Sequence, residues 1–364
     1  MKETGITVFP VTERGYELAG RVREQWKDAI IHRPAQLRSG GLKAKVAAAF
    51  AAPRAILFIS AAGIAVRSCA PFLKGKDKDP GVVVMDDAAR FAVSLLSGHL
   101  GGANSLAKAV AALFGATPVI TTATDVAGLP CIEEFAERLG LVVDGVRNIK
   151  RVNSAILKRG RVFVIDADPV RRAEAKKAFG PAKVFTFRKG LPVRQASGDA
   201  FVLVTPFTGQ PQPARGKALM LRPREFVAGV GCGRRASPVE IKKAVGRALM
   251  DSGVSRLSLR NLASIDVKND EQGLLAFARE AGLTIEFFTA DELRRVKPPS
   301  GPSEAVWAAV NAPGVSETAA MLSAGAKRIW TKKKIFGRVT VAVARVKGKG
   351  ASASSASARA RKPT

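Results

Sequence analysis

His99 is one of two histidines in this 364-residue chain, and it lies in a glycine-rich run: Ser97-Gly98-His99-Leu100-Gly101-Gly102-Ala103-Asn104. An imidazole in such a place can act as general acid, general base or metal ligand. Glycines let the backbone approach a ligand closely, and free amides at a helix N-terminus favour anionic groups. Ser97, Gly98, Gly101, Gly102 and Asn104 are therefore candidate binding residues around a candidate catalytic His99. The plainer reading is a glycine-rich connection with an incidental polar side chain. A second polar group, Thr121, Thr122, Thr124 and Asp125, follows the apolar Val119-Ile120. Sheet topology should bring it beside His99, with Asp125 orienting the ring or acting as base; a helix-capping aspartate is the alternative.

A third group lies far along the chain. In Ser264-Ile265-Asp266-Val267-Lys268 the polar residues share one face if the segment is extended. With Glu317 they would converge near Gly231-Cys232-Gly233; a merely solvated Asp266–Lys268 pair is the alternative.

The elements that must position these groups alternate. Phe91 to Leu96 reads as a strand before the His99 turn, and Ala103 onward as a helix. Ala55 to Ile59 and Val82 to Met85 are buried-type strands, and Glu13 to Trp26 is helical. The expected fold class is α/β: three consecutive α/β units with mostly parallel sheets and flanking helices, then a disordered basic C-terminal tail. The units are an N-terminal domain over 1–140, a small central domain over 141–208 and a C-terminal domain over 225–346. A proline- and glycine-rich linker over 209–224 and the tail over 347–364 complete the chain.

Composition narrows the function. The net charge is +29, of which the tail holds five lysines and arginines, leaving about +24 in the body. Nucleic acid, an anionic membrane surface and an acidic small molecule would each suit that charge, as would a general solubility bias. One tyrosine and three tryptophans leave too few aromatics to interleave with the basic residues, which argues against nucleic acid. Gly98-His99-Leu100-Gly101-Gly102 is not GxGxxG and does not follow the first strand, which disfavours a dinucleotide-dependent dehydrogenase. The apolar stretch from Val46 to Val66 is broken by Pro53 and Arg54, so no membrane span is expected. Cys69, Cys131 and Cys232 form neither a disulfide framework nor a CxxC site, and a cytoplasmic location is expected.

Several motifs then occur together in order: Gly63-Ile64-Ala65-Val66-Arg67, Asp79 to Asp86, Ser94 to Asn104, and Ala116 to Asp125. They resemble the N-terminal domain of the CbiG family, the cobalt-precorrin-5A hydrolases of anaerobic cobalamin (vitamin B12) biosynthesis. Gly229-Val230-Gly231-Cys232, Ala263 to Lys268, Glu286-Phe287-Phe288, Gly314 to Ala320 and Val339 to Ala344 resemble its C-terminal domain. The resemblance covers both outer domains, is weaker in the middle and leaves out the tail. It implies a cobalt-bound, contracted tetrapyrrole substrate with many carboxylates and a δ-lactone. The lactone is hydrolysed and the extruded carbon leaves as acetaldehyde, giving cobalt-precorrin-5B. Cobalt enters with the substrate, so no cofactor and no protein metal site are expected. A polycarboxylate ligand would suit the basic body. Such a macrocycle is expected between the outer domains, contacted by Arg67 and Lys74 on one side and by Lys268 and Lys333 on the other. A non-catalytic tetrapyrrole carrier is the rival reading. Other enzymes of the pathway are candidate partners, and the sequence is compatible with a homodimer.

Overall fold

The computed structural model describes residues 5–38, 40–52, 54–75, 78–214 and 217–347. They fall into two compact units, Met1–Glu134 and Phe135–Thr364. The first contains six strands: β1 (Ile6–Pro10), β2 (Ile30–Ile31), β3 (Ala55–Ile59), β4 (Val82–Met85), β5 (Phe91–Leu96) and β6 (Thr117–Val119). They form one sheet in the order β2-β1-β3-β4-β5-β6. Strands β3 and β4 are almost wholly apolar, so both of their faces need cover. Leu57, Ile59, Val83 and Met85 pack with Leu106, Ala107 and Val110 of the helix Ala103–Phe114. The alternate residues Ile56, Phe58, Val82 and Val84 pack on the other face with Val46, Ala65 and Cys69.

The sheet is parallel except between β4 and β5, which are antiparallel. The connection from 86 to 90 is too short for a parallel crossover, which takes roughly a dozen residues. Asp86 shapes that turn by accepting the amides of Ala88, Arg90 and Phe91 at 2.8–3.0 Å. Strands β5 and β6 are parallel, so their C-terminal ends lie on the same edge of the sheet.

The second unit carries two five-stranded sheets. One is ordered β7-β11-β10-β8-β9, from β7 (Leu141–Asp144), β8 (Val162–Asp166), β9 (Phe185–Arg188), β10 (Ala200–Val204) and β11 (Leu219–Pro223). The stretch expected to be linker therefore supplies a strand. Leu219 and Leu221 are fully buried, and β11 pairs in parallel with β10. A short apolar run hidden among basic and proline residues was enough to continue the sheet. The other sheet is ordered β14-β13-β12-β16-β15, from β12 (Phe226–Cys232), β13 (Leu259–Ile265), β14 (Ile285–Phe288), β15 (Thr331–Phe336) and β16 (Val339–Arg345). The helix Pro238–Asp251 begins with a reciprocal cap: Ser237 accepts the Glu240 amide, and Glu240 accepts the Ser237 amide.

No described helix is long and apolar enough to cross a membrane. Lys347 still belongs to the last domain through its amide bond to the Ala324 carbonyl. Residues 348–364, the rest of the expected tail, lie outside the described residues.

Candidate functional site

The turn after β5 places His99 at the shared edge of β5 and β6. Its backbone closes on itself: the amides of Gly102, Ala103 and Asn104 donate to the carbonyls of His99, Ser97 and Gly98 at 2.9–3.3 Å. These amides at the start of the helix are thus already engaged and are not open to an anion. The glycines serve close packing instead. A Cβ on Gly101 would lie 2.6 Å from the Gly81 amide nitrogen, and one on Gly98 would lie 2.6 Å from Asn104 Oδ1. Ser97 adopts the left-handed conformation at φ 54°, an unusual place for a residue with a Cβ.

His99 and Asp125 meet directly, with Nε2 2.9 Å from Oδ2. The same Oδ2 accepts from the Thr122 hydroxyl at 2.7 Å and from Asn104 Nδ2 at 3.1 Å. Asn104 is buried, donates also to Thr122 at 3.0 Å and accepts from Ser94 at 2.7 Å. Thr124, also buried, brings its hydroxyl within 3.4 Å of His99 Nε2. The carboxylate lies in the short helix Ala123–Val126 whose N-cap is Thr122, so Asp125 is not a capping residue. Burial pushes the Asp125 carboxyl upward, but the Thr122 hydroxyl, the His99 ring and Lys108 more than offset it. The net result lies below its ordinary value. Lys108 Nζ stands 3.6 Å from Oδ1. Thr121 is exposed on the same loop.

Three residues at this site were not legible as members of it. Ser94 reads as one polar residue in a strand, Lys108 as a surface lysine and Glu133 as an ordinary acid in the first turn of the helix Ile132–Arg138. Glu133 is 7% exposed, and its Oε1 lies 3.8 Å from His99 Nδ1. Cys131 lies beside it, accepting the Glu134 amide. Burial pushes the Cys131 thiol up to about 12. Ligand atoms of His99, Cys131 and Glu133 fall within 4.8 Å of one another, a grouping that no spacing motif announced.

The third expected group takes up other duties. Ser264 is fully buried and donates to the Val230 carbonyl. The expected extended segment ends at Ile265, and Asp266–Lys268 forms a 3₁₀ turn, so the alternation argument fails there. Asp266 accepts the Val267 amide, and Lys268 pairs with Glu271 at 3.3 Å. Glu317, 2% exposed, accepts from the Ser300 amide and hydroxyl and from the Lys333 amide at 2.8–2.9 Å. Glu317 thereby ties two loops together, and Lys333 enters through its backbone. Arg67 and Lys74 are exposed on the first unit.

A sheet covered on both faces, with a histidine–aspartate pair beyond the carboxyl ends of neighbouring parallel strands, makes this an α/β protein with a candidate acid–base pair where open sheets commonly hold ligands. The chain belongs to the cobalamin synthesis G family. The family's N-terminal model matches residues 44–125, the cobalamin biosynthesis central region residues 130–223 and the C-terminal model residues 226–344. It is similar to the cobalt-precorrin-5A hydrolase of Priestia megaterium, at 32% identity over 93% of this chain and 94% of that one. It is also similar to the cobalt-precorrin-5A hydrolase of Salmonella typhimurium, at 34% identity over 70% of this chain and 72% of that one. A shorter match, at 35% identity over 33% of this chain and 79% of the relative, is to protein CobE of a Sinorhizobium species.

Proposed function

We propose that this chain is a cobalt-precorrin-5A hydrolase that opens the substrate's δ-lactone and releases acetaldehyde, giving cobalt-precorrin-5B. The observation that carries the reading is the full-length similarity to a relative of that name. The His99–Asp125 pair supplies groups suited to the chemistry. Lactone hydrolysis needs a proton acceptor for the attacking water and a donor for the oxygen that leaves. Asp125 is the outer member of the pair, with a side chain 25% exposed against 18% for His99. Asp125 therefore meets the water and takes its proton, and His99 stands behind it as its hydrogen-bond partner. The proton returns to the lactone ring oxygen as the C–O bond breaks. The hydroxyl so formed then loses its proton, the bond to the macrocycle breaks, and the macrocycle keeps the electron pair as acetaldehyde departs. The macrocycle carries its cobalt as part of the substrate, and the chain's excess positive charge suits its carboxylates.

The test is to mix the purified chain with cobalt-precorrin-5A and follow acetaldehyde. One equivalent released per substrate is expected. Tight binding of the tetrapyrrole without acetaldehyde would favour the carrier reading instead.

A further inference from the structure

We infer that Glu133 is the third member of this centre, a positioning residue that holds the Nδ1 side of the His99 ring. The inference rests on reading the cluster as the acid–base centre. The two ring nitrogens face different carboxylates: Nε2 meets Asp125 Oδ2 at 2.9 Å, and Nδ1 lies 3.8 Å from Glu133 Oε1. Asp125 stays ionised and already accepts two other donors on Oδ2, so the contact to Nε2 requires a proton on that nitrogen. The Nδ1 side of the ring then faces the second carboxylate across 3.8 Å, so the imidazole is flanked by an acid on each nitrogen.

Exposure grades the three groups from outside to inside. The Asp125 side chain is 25% exposed, His99 18% and Glu133 7%. The innermost carboxylate is held by the backbone of its helix, whose first turn is fixed by the Glu134 amide bonding to Cys131 Sγ. The ring is thus clamped from behind by a rigid element, and its Nε2–H remains on Asp125. A ring released from that clamp would swing, and misplacement of a catalytic group by about 1 Å can cost about 10²-fold in rate.

The experiment uses the full chain with Glu133→Gln, which keeps shape and removes charge, and Glu133→Asp, which keeps charge. Two readouts are taken: steady-state acetaldehyde release and the ¹⁵N signals of the histidine rings. The chain has only two histidines, so a His32→Gln variant assigns the spectrum. Glu133→Gln is expected to lower kcat by about 10–100-fold with KM changed less than about threefold, and to shift the His99 ring signals from their wild-type positions. Glu133→Asp should keep near-wild-type ring signals and recover most of kcat. If Glu133→Gln does not fold, Glu133→Asp decides: displaced ring signals without recovery of turnover in that variant overturn the inference. Wild-type turnover and an unchanged ring spectrum in Glu133→Gln would also overturn it. So would one divalent metal ion per wild-type chain that Glu133→Gln loses, because Glu133 and Cys131 would then be ligands. The ring spectra need no substrate. A wild-type chain that released no acetaldehyde, yet showed the spectral change in Glu133→Gln, would sink the proposed function and support the role of Glu133.

Discussion

Two clusters of charged side chains occupy comparable places, each beyond a strand's C-terminal end in a mostly parallel sheet. One is the His99–Asp125 group. The other forms around Asp166, the last residue of β8, where Arg171 binds both carboxylate oxygens at 2.6 and 2.8 Å. Arg171 also pairs with Glu225, which binds Arg345 at 2.8 Å. Asp166, Arg171 and Glu225 are 2%, 3% and 7% exposed. In this second cluster the Arg171 guanidinium fork is matched by carboxylates on two sides, and Asp166, Arg171 and Glu225 are all buried. In the first, Asp125 is a quarter exposed, and one of its oxygens takes up three short donors while the other, among the described residues, faces Lys108 at 3.6 Å. Position at a strand end does not make a site. An incompletely satisfied polar group within reach of solvent is what marks the first cluster as the candidate.

The comparison can be broken most directly at the first cluster. His99→Ala and Asp125→Asn should each lower kcat for acetaldehyde release by about 10²–10⁴-fold while the thermal midpoint barely moves. Near-normal turnover in either variant would remove that residue from the chemistry. The second cluster should answer the other way. Arg171→Ala leaves the buried Asp166 without its cationic partner and Glu225 with Arg345 alone, and should cost about 3–5 kcal/mol of stability, with turnover per folded molecule unchanged. A stable, inactive Arg171→Ala protein would mean that the two clusters are not of different kinds.

A smaller effect tests how the turn holds its histidine. Gly101→Ala must fit a Cβ 2.5 Å from that of Ser97 and 2.6 Å from the Gly81 nitrogen. It should cost about 1–3 kcal/mol as an overpacked contact and reduce kcat with little change in KM. Equal losses in kcat and in substrate affinity would point to a direct binding role for the turn.

The same contrast explains what could be read from the residues alone. Parallel β5 and β6 follow from two short apolar runs with a helix between them, and that topology was enough to pair His99 with Asp125. Glu133 was illegible because it resembles any first-turn acid, and only the path of the loop after Asp125 brings it behind the ring. Glu317 was misread for the mirror-image reason. An acid opening a helix beside glycines looks available, yet its oxygens accept Ser300 and Lys333 across long stretches of chain. Ser264 likewise meets the Val230 carbonyl on the neighbouring strand. Leu219 to Leu221 shows the limit of composition, since three apolar residues in a basic, proline-rich stretch completed a sheet.

The finest test compares the acid responses of Asp125 and Asp166. Asp125 is held below its ordinary value, so its ionised form is favoured by folding. That contribution is complete above the usual aspartate range and is lost as pH falls through the folded value. For Asp166, burial pushes the carboxyl above its ordinary value and outweighs the pull of Arg171. The folded protein then holds that proton more tightly than the unfolded chain, so the contribution of Asp166 falls as pH rises through the same range. Asp125→Asn should therefore lose stability relative to wild type at neutral pH, and the gap should close in acid. Asp166→Asn should show a gap that moves in the opposite sense with pH, on top of a constant loss from disrupting Arg171. Both effects are small, that of Asp125 especially, because solvent reaches its carboxylate. Hydrogen exchange of peptides from residues 1–134 for the first variant, and from 135–347 for the second, would resolve them across the acid range. Gaps that moved in the same direction with pH would mean that the two carboxylates are held alike, and the contrast between the clusters would have to be abandoned.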